Sequence, residues 1–284
     1  MKPPLLLAAL SAALILSGLF PAQPALADEI SATSAASAAP AKPAPNANSA
    51  GKPPEIETIM QMPEGEERKK ALSSLAPLLK EWAQREPLAA LLWLQQVKTP
   101  TVGPWSTVLV TCGQTHGKVS ADWSLQTNGH PFIHPLLFVW ASNDPATAAQ
   151  WCLQAQKPDE IRYLIFFSIG DGAAMKDPAF ATAWTEKLEL EADRLAAIRG
   201  IMLRWPASNF QAATAWIKQQ KGEALKVAAM SLLEYHSNKF KTKDGTKDVP
   251  GMKAWLDQFP LSDAEKEAAL NGPGFSVYTG PKKK

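Results

Sequence analysis

No Gly-rich phosphate loop, no G-x-S-x-G nucleophile elbow and no H-E-x-x-H metalloprotease helix occurs in this chain. None of the short motifs that announce nucleotide binding, acyl transfer or zinc hydrolysis is therefore present. Surplus charge is missing as well: 29 basic residues face 27 acidic ones, a formal net charge of +2. Nucleic-acid-binding domains normally carry a basic stripe, and this near-balance argues against one. Beyond the first residues no stretch is long and apolar enough to cross a bilayer, which takes ~20 residues. Nor does a cysteine stand near residue 27, where a lipid-modified anchor would need one. The sequence thus offers no readable catalytic set, no cofactor motif, no nucleic-acid surface and no later membrane span.

What is present begins with an address. Lys2 supplies a positive start, and Leu5 to Leu19 form an apolar stretch interrupted only by Ser11, Ser17 and Gly18. Ala25-Leu26-Ala27 follows as a small-x-small cleavage site before Asp28. These are the three parts of a secretory signal peptide, expected over residues 1–27. An uncleaved anchor fits less well, because the stretch is short and Pro21 and Pro24 close it. The chain is accordingly expected to be exported, to a periplasm or outside the cell.

Residues 28–54 include SATSAASAAPAKPAPNANSAGKPP. A segment of Ala, Ser, Pro, Lys and Asn buries too little apolar surface to offset its ordering entropy, so it reads as a flexible tether. Residues 272–284 end in Lys282-Lys283-Lys284 and read as a flexible, solubilising basic tail. The interval 55–271 is long enough for a sizeable core.

That interval repeats itself. The segments WAQREPLAALLW (82–93), WASNDPATAAQW (140–151), AAMKDPAFATAW (173–184) and WPASNFQAATAW (205–216) share the frame W-A-x-x-[DE]-P-x-x-A-x-x-W. CGQTHGKVSADW (112–123) and DGTKDVPGMKAW (244–255) are degenerate copies. The twelfth position is tryptophan in all six, Trp93, Trp123, Trp151, Trp184, Trp216 and Trp255, and the ninth is mostly small. Successive copies begin 30, 28, 33, 32 and 39 residues apart, a period characteristic of stacked repeat arrays.

The frame has a physical logic. Asp, Glu or Asn at the fifth position is an N-cap whose oxygen accepts from free first-turn amides. Pro at the sixth occupies a first helical position, where its missing N–H costs nothing. A short helix therefore opens near Glu86, Asp144, Asp177 and Asn209, with the small ninth residue and the Trp three later on one face. Trp82, Trp140 and Trp205, at the first position, close the preceding helix against the turn. Those preceding helices carry their own register: Asp159, Glu191 and Glu223 recur every 32 residues, as do Arg162, Arg194 and Lys226. Acid near a helix start suits the macrodipole, and acid-to-base at i, i+3 adds an intrahelical pair. The excess of the last interval must lie in the turn SNKFKTKDGTKD, and Ser262-Asp263-Ala264-Glu265 is a capping box that opens a last helix.

The expectation is an all-α fold, about six helical hairpins of ~32 residues covering 66–260, with no β-sheet. Helical hairpins at this period resemble tetratricopeptide-type α-solenoids, although tryptophan stands where that consensus has other residues. The D-P and A-x-x-W frame resembles tandem repeats of exported bacterial proteins. The resemblance implies a right-handed α-solenoid and a scaffold role, and it brings no catalytic residues.

Several constellations invite chemistry. The tryptophans would suit sugar stacking, but they share repeat positions with small residues, as core residues do; Trp105 lies outside the frame and is the candidate surface exception. His130 and His134 are four apart, yet each precedes a proline, which suits a loop or first turn better than a metal-binding helix. Cys112 and Cys152 would meet an oxidising compartment and are open to pairing, or to serving as small buried hydrophobes. Lys243-Asp244-Gly245-Thr246 lacks the buried strand a phosphohydrolase aspartate needs and reads as a turn.

Function is therefore expected to be binding of a protein or peptide partner, without cofactor or metal. The alternatives are an envelope glycan or peptidoglycan binder, or an accessory subunit of an envelope enzyme. Arg162, Arg194 and Lys226 are the candidate binding residues, forming one edge if successive repeats stack in register. The bland account of the same residues is that each pairs with its own acid three positions earlier.

Overall fold

A computed structural model describes residues 52–271 apart from 64, 97–101, 128–129 and 243. The segments read from sequence as a signal peptide (1–27), a tether (28–54, all but its last three residues) and a basic tail (272–284) lie outside the described residues. Helices follow one another as α1 (Pro54–Met60), α2 (Glu66–Ser74), α3 (Ala76–Arg85), α4 (Pro87–Gln96), α5 (Val102–Thr115), α6 (Gly117–Gln126), α7 (His130–Asn143) and α8 (Pro145–Gln154). They continue as α9 (Asp159–Lys176), α10 (Pro178–Thr185), α11 (Glu191–Ser208), α12 (Phe210–Ile217), α13 (Gly222–His236), α14 (Val249–Leu256) and α15 (Asp263–Asn271). Among the described residues there is no strand, only an isolated bridge between Lys241 and Lys247. The chain is all-α.

Each copy of the frame is a helix–turn–helix. The fifth residue is the turn: Asp144, Asp177, Asn209 and Asp248 each accept, through the side chain, from the amide three residues on, at 3.2, 3.0, 3.0 and 2.9 Å. The amides of Glu86, Asp144 and Asn209 donate to the carbonyls of Trp82, Trp140 and Trp205 at 2.7, 2.8 and 2.9 Å, so the first position does close the preceding helix. In the last copy the extra length sits between α13 and α14. There a 3-10 turn (Ser237–Lys239) and a tight loop follow one another, the loop turning at Gly245, whose φ of 84° is a left-handed value suited to glycine. The capping box forms too: the Ser262 amide donates to Glu265 at 2.9 Å and the Glu265 amide to Ser262 Oγ at 3.3 Å.

The frame's two aromatic ends touch. Ring centroids of Trp82–Trp93, Trp140–Trp151 and Trp205–Trp216 are 5.9, 5.7 and 6.3 Å apart, all tilted or edge-on, as aromatic quadrupoles prefer. Where the first position is not tryptophan another ring takes its place, as Phe166 does on Trp184 at 6.1 Å. The ninth residue is sealed in every copy: Ala90, Ser120, Ala148, Ala181 and Ala213 are 0 % exposed and Met252 2 %. Seven of the ten tryptophans are buried; Trp105, Trp205 and Trp216 are half-buried. Some indoles also bond to the previous repeat. Trp151 Nε1 donates to Asp122 at 2.8 Å and Trp255 Nε1 to Thr214 at 3.3 Å, whereas Trp184 Nε1 is buried without a partner among the described residues.

The described residues form two compact units, one up to Thr111 and one from Cys112 onward. In the first, α3 packs on α4 around Leu79, Trp82, Leu91 and Leu94, all fully buried. In the second, the long helices pack in chain order, α7 on α9, α9 on α11 and α11 on α13, and the short helices α6, α8 and α10 also touch in succession. The long helices meet backbone to backbone. A Cβ on Gly200 of α11 would lie 2.1 Å from the Phe167 carbonyl oxygen of α9, and one on Gly170 of α9 2.3 Å from the Ala197 carbonyl oxygen of α11. Each glycine thus fits against the other helix's backbone where no larger residue can.

Two outcomes follow for stability. Gly200→Ala forces an overpacked interface and is expected to cost about 3 kcal/mol, while Gly65→Ala, with open space around it, changes stability little. Trp184→Ala removes a buried ring and is expected to cost about 3–5 kcal/mol; Trp216→Ala, half-buried, costs less. Urea unfolding followed by circular dichroism measures all four, and a Gly200→Ala protein as stable as the parent would refute the contact.

Candidate functional site

The close approach of α7, α9, α11 and α13 brings their polar side chains into reach of one another, and these links, rather than the short helices, carry the unusual chemistry. Arg162 of α9 grips Asp193 of α11 with Nε at 2.7 Å and Nη2 at 2.5 Å. Arg204 of α11 grips Asp171 of α9 in the same two-point fashion, at 2.8 and 3.3 Å, and its guanidinium lies 4.9 Å over the Phe138 ring of α7. Asp171 is 1 % exposed and Asp193 5 %. Such a buried carboxylate is stable only while its arginine stays, and losing one partner typically costs about 3–5 kcal/mol. Arg199 of α11 reaches Glu234 and Tyr235 of α13 at 2.9 and 3.4 Å. His236 of α13 donates from Nε2 to the Met202 and Leu203 carbonyls of α11 at 3.0 and 3.1 Å.

A Ser–His contact with an aspartate nearby sits among these links. His134 Nδ1 is 2.8 Å from Ser168 Oγ, and Asp171 lies close enough to act on the imidazole. The hydroxyl donates to its own helix, to the Leu164 carbonyl at 2.5 Å. Its one hydrogen is thereby used, and the imidazole must be the donor. Ser168 is also fully buried, so no substrate reaches it, and the arrangement works as a tie between α7 and α9. The histidine ring is packed between Phe167 at 5.8 Å and Phe138 at 6.4 Å.

Around this seam lies a half-buried aromatic surface. Tyr163 and Phe167 of α9 stack at 6.0 Å. The Arg199 charge acts on both Tyr163 and Tyr235; burial pushes the two phenols above the usual tyrosine range, with Arg199 opposing it. Tyr163, Arg199 and Tyr235 are evenly spaced in sequence and fall on three successive long helices. Rigid tyrosine and arginine side chains, partly desolvated and fixed by neighbours, are the commonest energetic anchors of protein interfaces.

The three basic residues singled out by their 32-residue recurrence do fall at equivalent places, in the first turns of α9, α11 and α13, but their partners differ. Arg194 pairs with Glu191 at 3.8 Å, and Lys226 with Glu223 at 3.3 Å and Glu265 at 3.9 Å. Arg162 leaves Asp159 and crosses to Asp193, because a buried carboxylate on the neighbouring helix holds it in two-point geometry that an exposed first-turn acid cannot. Of the two histidines expected in a loop or first turn, His130 does stand in a first turn, that of α7, and His134 departs from it, a turn further in. Both lie in the regular helix α7, with Pro135 inside it. The lost amide bond falls near the helix start, and Phe132, Ile133, Leu136 and Leu137 bury the turn around it. No cluster of three metal-ligating side chains exists among the described residues. Cys112 and Cys152 are buried thiols, each pushed up to about 12 by burial.

Burial pulls the His134 imidazole below its ordinary 6.5, against the pull of Asp171 and with that of Arg204. His236 is lowered by burial too, with the Met202 and Leu203 carbonyls opposing. Because the unfolded chain takes up these protons more readily, stability is complete above pH 6.5 and falls as pH drops below it. The melting temperature should therefore decline between pH 7 and 5. His134→Gln, which keeps a donor for Ser168, should flatten that decline and leave only the His236 share; an unchanged slope would show that His134 is not held neutral.

No protein-family model, curated protein or solved structure matches this chain.

Proposed function

We propose that this protein is an exported helical-repeat scaffold, of the right-handed tetratricopeptide-like α-solenoid type, that binds a protein or peptide partner outside the cytoplasm. The observation that carries the reading is the surface of the long helices, where Tyr163, Phe167, Arg199 and Tyr235 stand half-buried, the first two stacked on each other within α9 and the last two bonded across α11 and α13. Such side chains lose little freedom on binding, and stacked repeats present them over an extended length. Export rests on residues 1–27 and binding rather than catalysis on the absence of a converging nucleophile or acid–base set in the sequence. A glycan platform has less support, since most indole faces are already turned into the core.

The test is affinity capture from envelope extract with the chain from residue 28 onward and with a version lacking 28–54. The expected outcome is the same protein partner from both, reduced by a Tyr163→Ala, Tyr235→Ala double variant that folds normally. Recovery of glycan alone, or of no partner, would overturn the scaffold reading.

A further inference from the structure

Among the described residues three ion pairs tie neighbouring long helices together, and one is built the other way round. In Arg162–Asp193 and Arg204–Asp171 the acid is the buried member, with side chains 7 % and 2 % exposed against 32 % and 21 % for the arginines. In Arg199–Glu234 the arginine is the buried member, 12 % exposed, and the glutamate stands out at 35 %. The first two are two-point grips on short aspartates. In the third, Nη2 meets a longer, more flexible glutamate and also the Tyr235 hydroxyl.

This inversion has a consequence for exchange. A guanidinium withdrawn from water needs an anion beside it. An exposed glutamate, by contrast, swings into water at little cost, because exposed ion pairs are weak and entropy opposes holding them. The buried partner stays in place and the exposed one is replaceable. Glu234 already demonstrates which chemistry the position accepts.

We propose that Arg199, flanked by Tyr163 and Tyr235, is the acceptor for a side-chain carboxylate of an acidic peptide segment, and that Glu234 is its resident competitor. This rests on the scaffold reading and names its partner chemistry. The incoming carboxylate replaces Glu234 on the guanidinium, the Tyr235 hydroxyl stands beside the same nitrogen, and the stacked rings of Tyr163 and Phe167 give the rest of the peptide an apolar floor. No covalent step is involved.

The experiment is calorimetric titration of the chain from residue 28 to 284 with a peptide of alternating Glu and Ala, amidated at its C-terminus. A Gln-for-Glu peptide, amidated or with a free C-terminal acid, serves as the comparison. The Glu/Ala peptide is expected to bind, more weakly at higher salt, and the amidated Gln peptide not to bind. Glu234→Gln, a surface change, removes the competitor and should tighten binding about twofold, the worth of a typical exposed pair. Arg199→Lys keeps the charge but loses the planar fork and should weaken it. Unchanged or weaker binding by Glu234→Gln would overturn the proposal, as would preference for the free C-terminal acid over the Glu side chains. If the acidic peptide fails while affinity capture still recovers a partner, this inference falls and the scaffold stands; if both fail, the scaffold falls.

Discussion

Backbone-to-backbone packing of the long helices is the constraint on which the second unit depends. Gly170 and Gly200 fit against each other's helix, and Gly172 sits against the Phe138 carbonyl of α7 in the same way. Helices this close leave no room for bulky side chains at the contact line. Short and long polar groups to either side are instead pulled within hydrogen-bonding reach. The Arg–Asp grips, the His134–Ser168 tie and the His236 bonds to carbonyls all follow from that proximity. With the aspartates and imidazoles buried, each link is satisfied or it is a heavy cost, so the seam specifies one register of α9 against α11 as well as stabilising it.

The tryptophan frame solves a different problem. A short helix of about eight to ten residues cannot hold itself together in water. Its asparagine or aspartate cap, its first-turn proline and the ring contact between the frame's two ends pin it to the longer helix before it. The sealed residue three before the Trp that ends each frame, alanine in four of the six copies, is the flat spot against which a neighbour closes. One row of helices is thus held by glycine and buried charge, the other by indole and alanine.

The frame was legible because it repeats identical residues in identical places: caps, turns, hairpins and the burial of most tryptophans could all be read from it. The seam was hidden because its links join complementary residues roughly one repeat apart, His134 to Ser168, Asp171 to Arg204, Arg199 to Glu234. A search for recurring identity finds Arg162, Arg194 and Lys226 and passes over these. Pairs of opposite type separated by 31 to 36 positions were the signal available. The helical course through His130 and His134 was obscured for another reason: proline argues locally against helix, and buried rings one turn either side override it.

The seam's central place in the fold is tested most directly by native-state amide hydrogen exchange. If glycine contact and buried ion pairs anchor the structure, amides in 168–172 of α9 and 196–200 of α11 should exchange last, only through global unfolding, while the short helices α10 and α12 open earlier. Should the amides of α10 or α12 outlast those two stretches, the tryptophan frame would be the anchor and the account given for the long helices would be wrong.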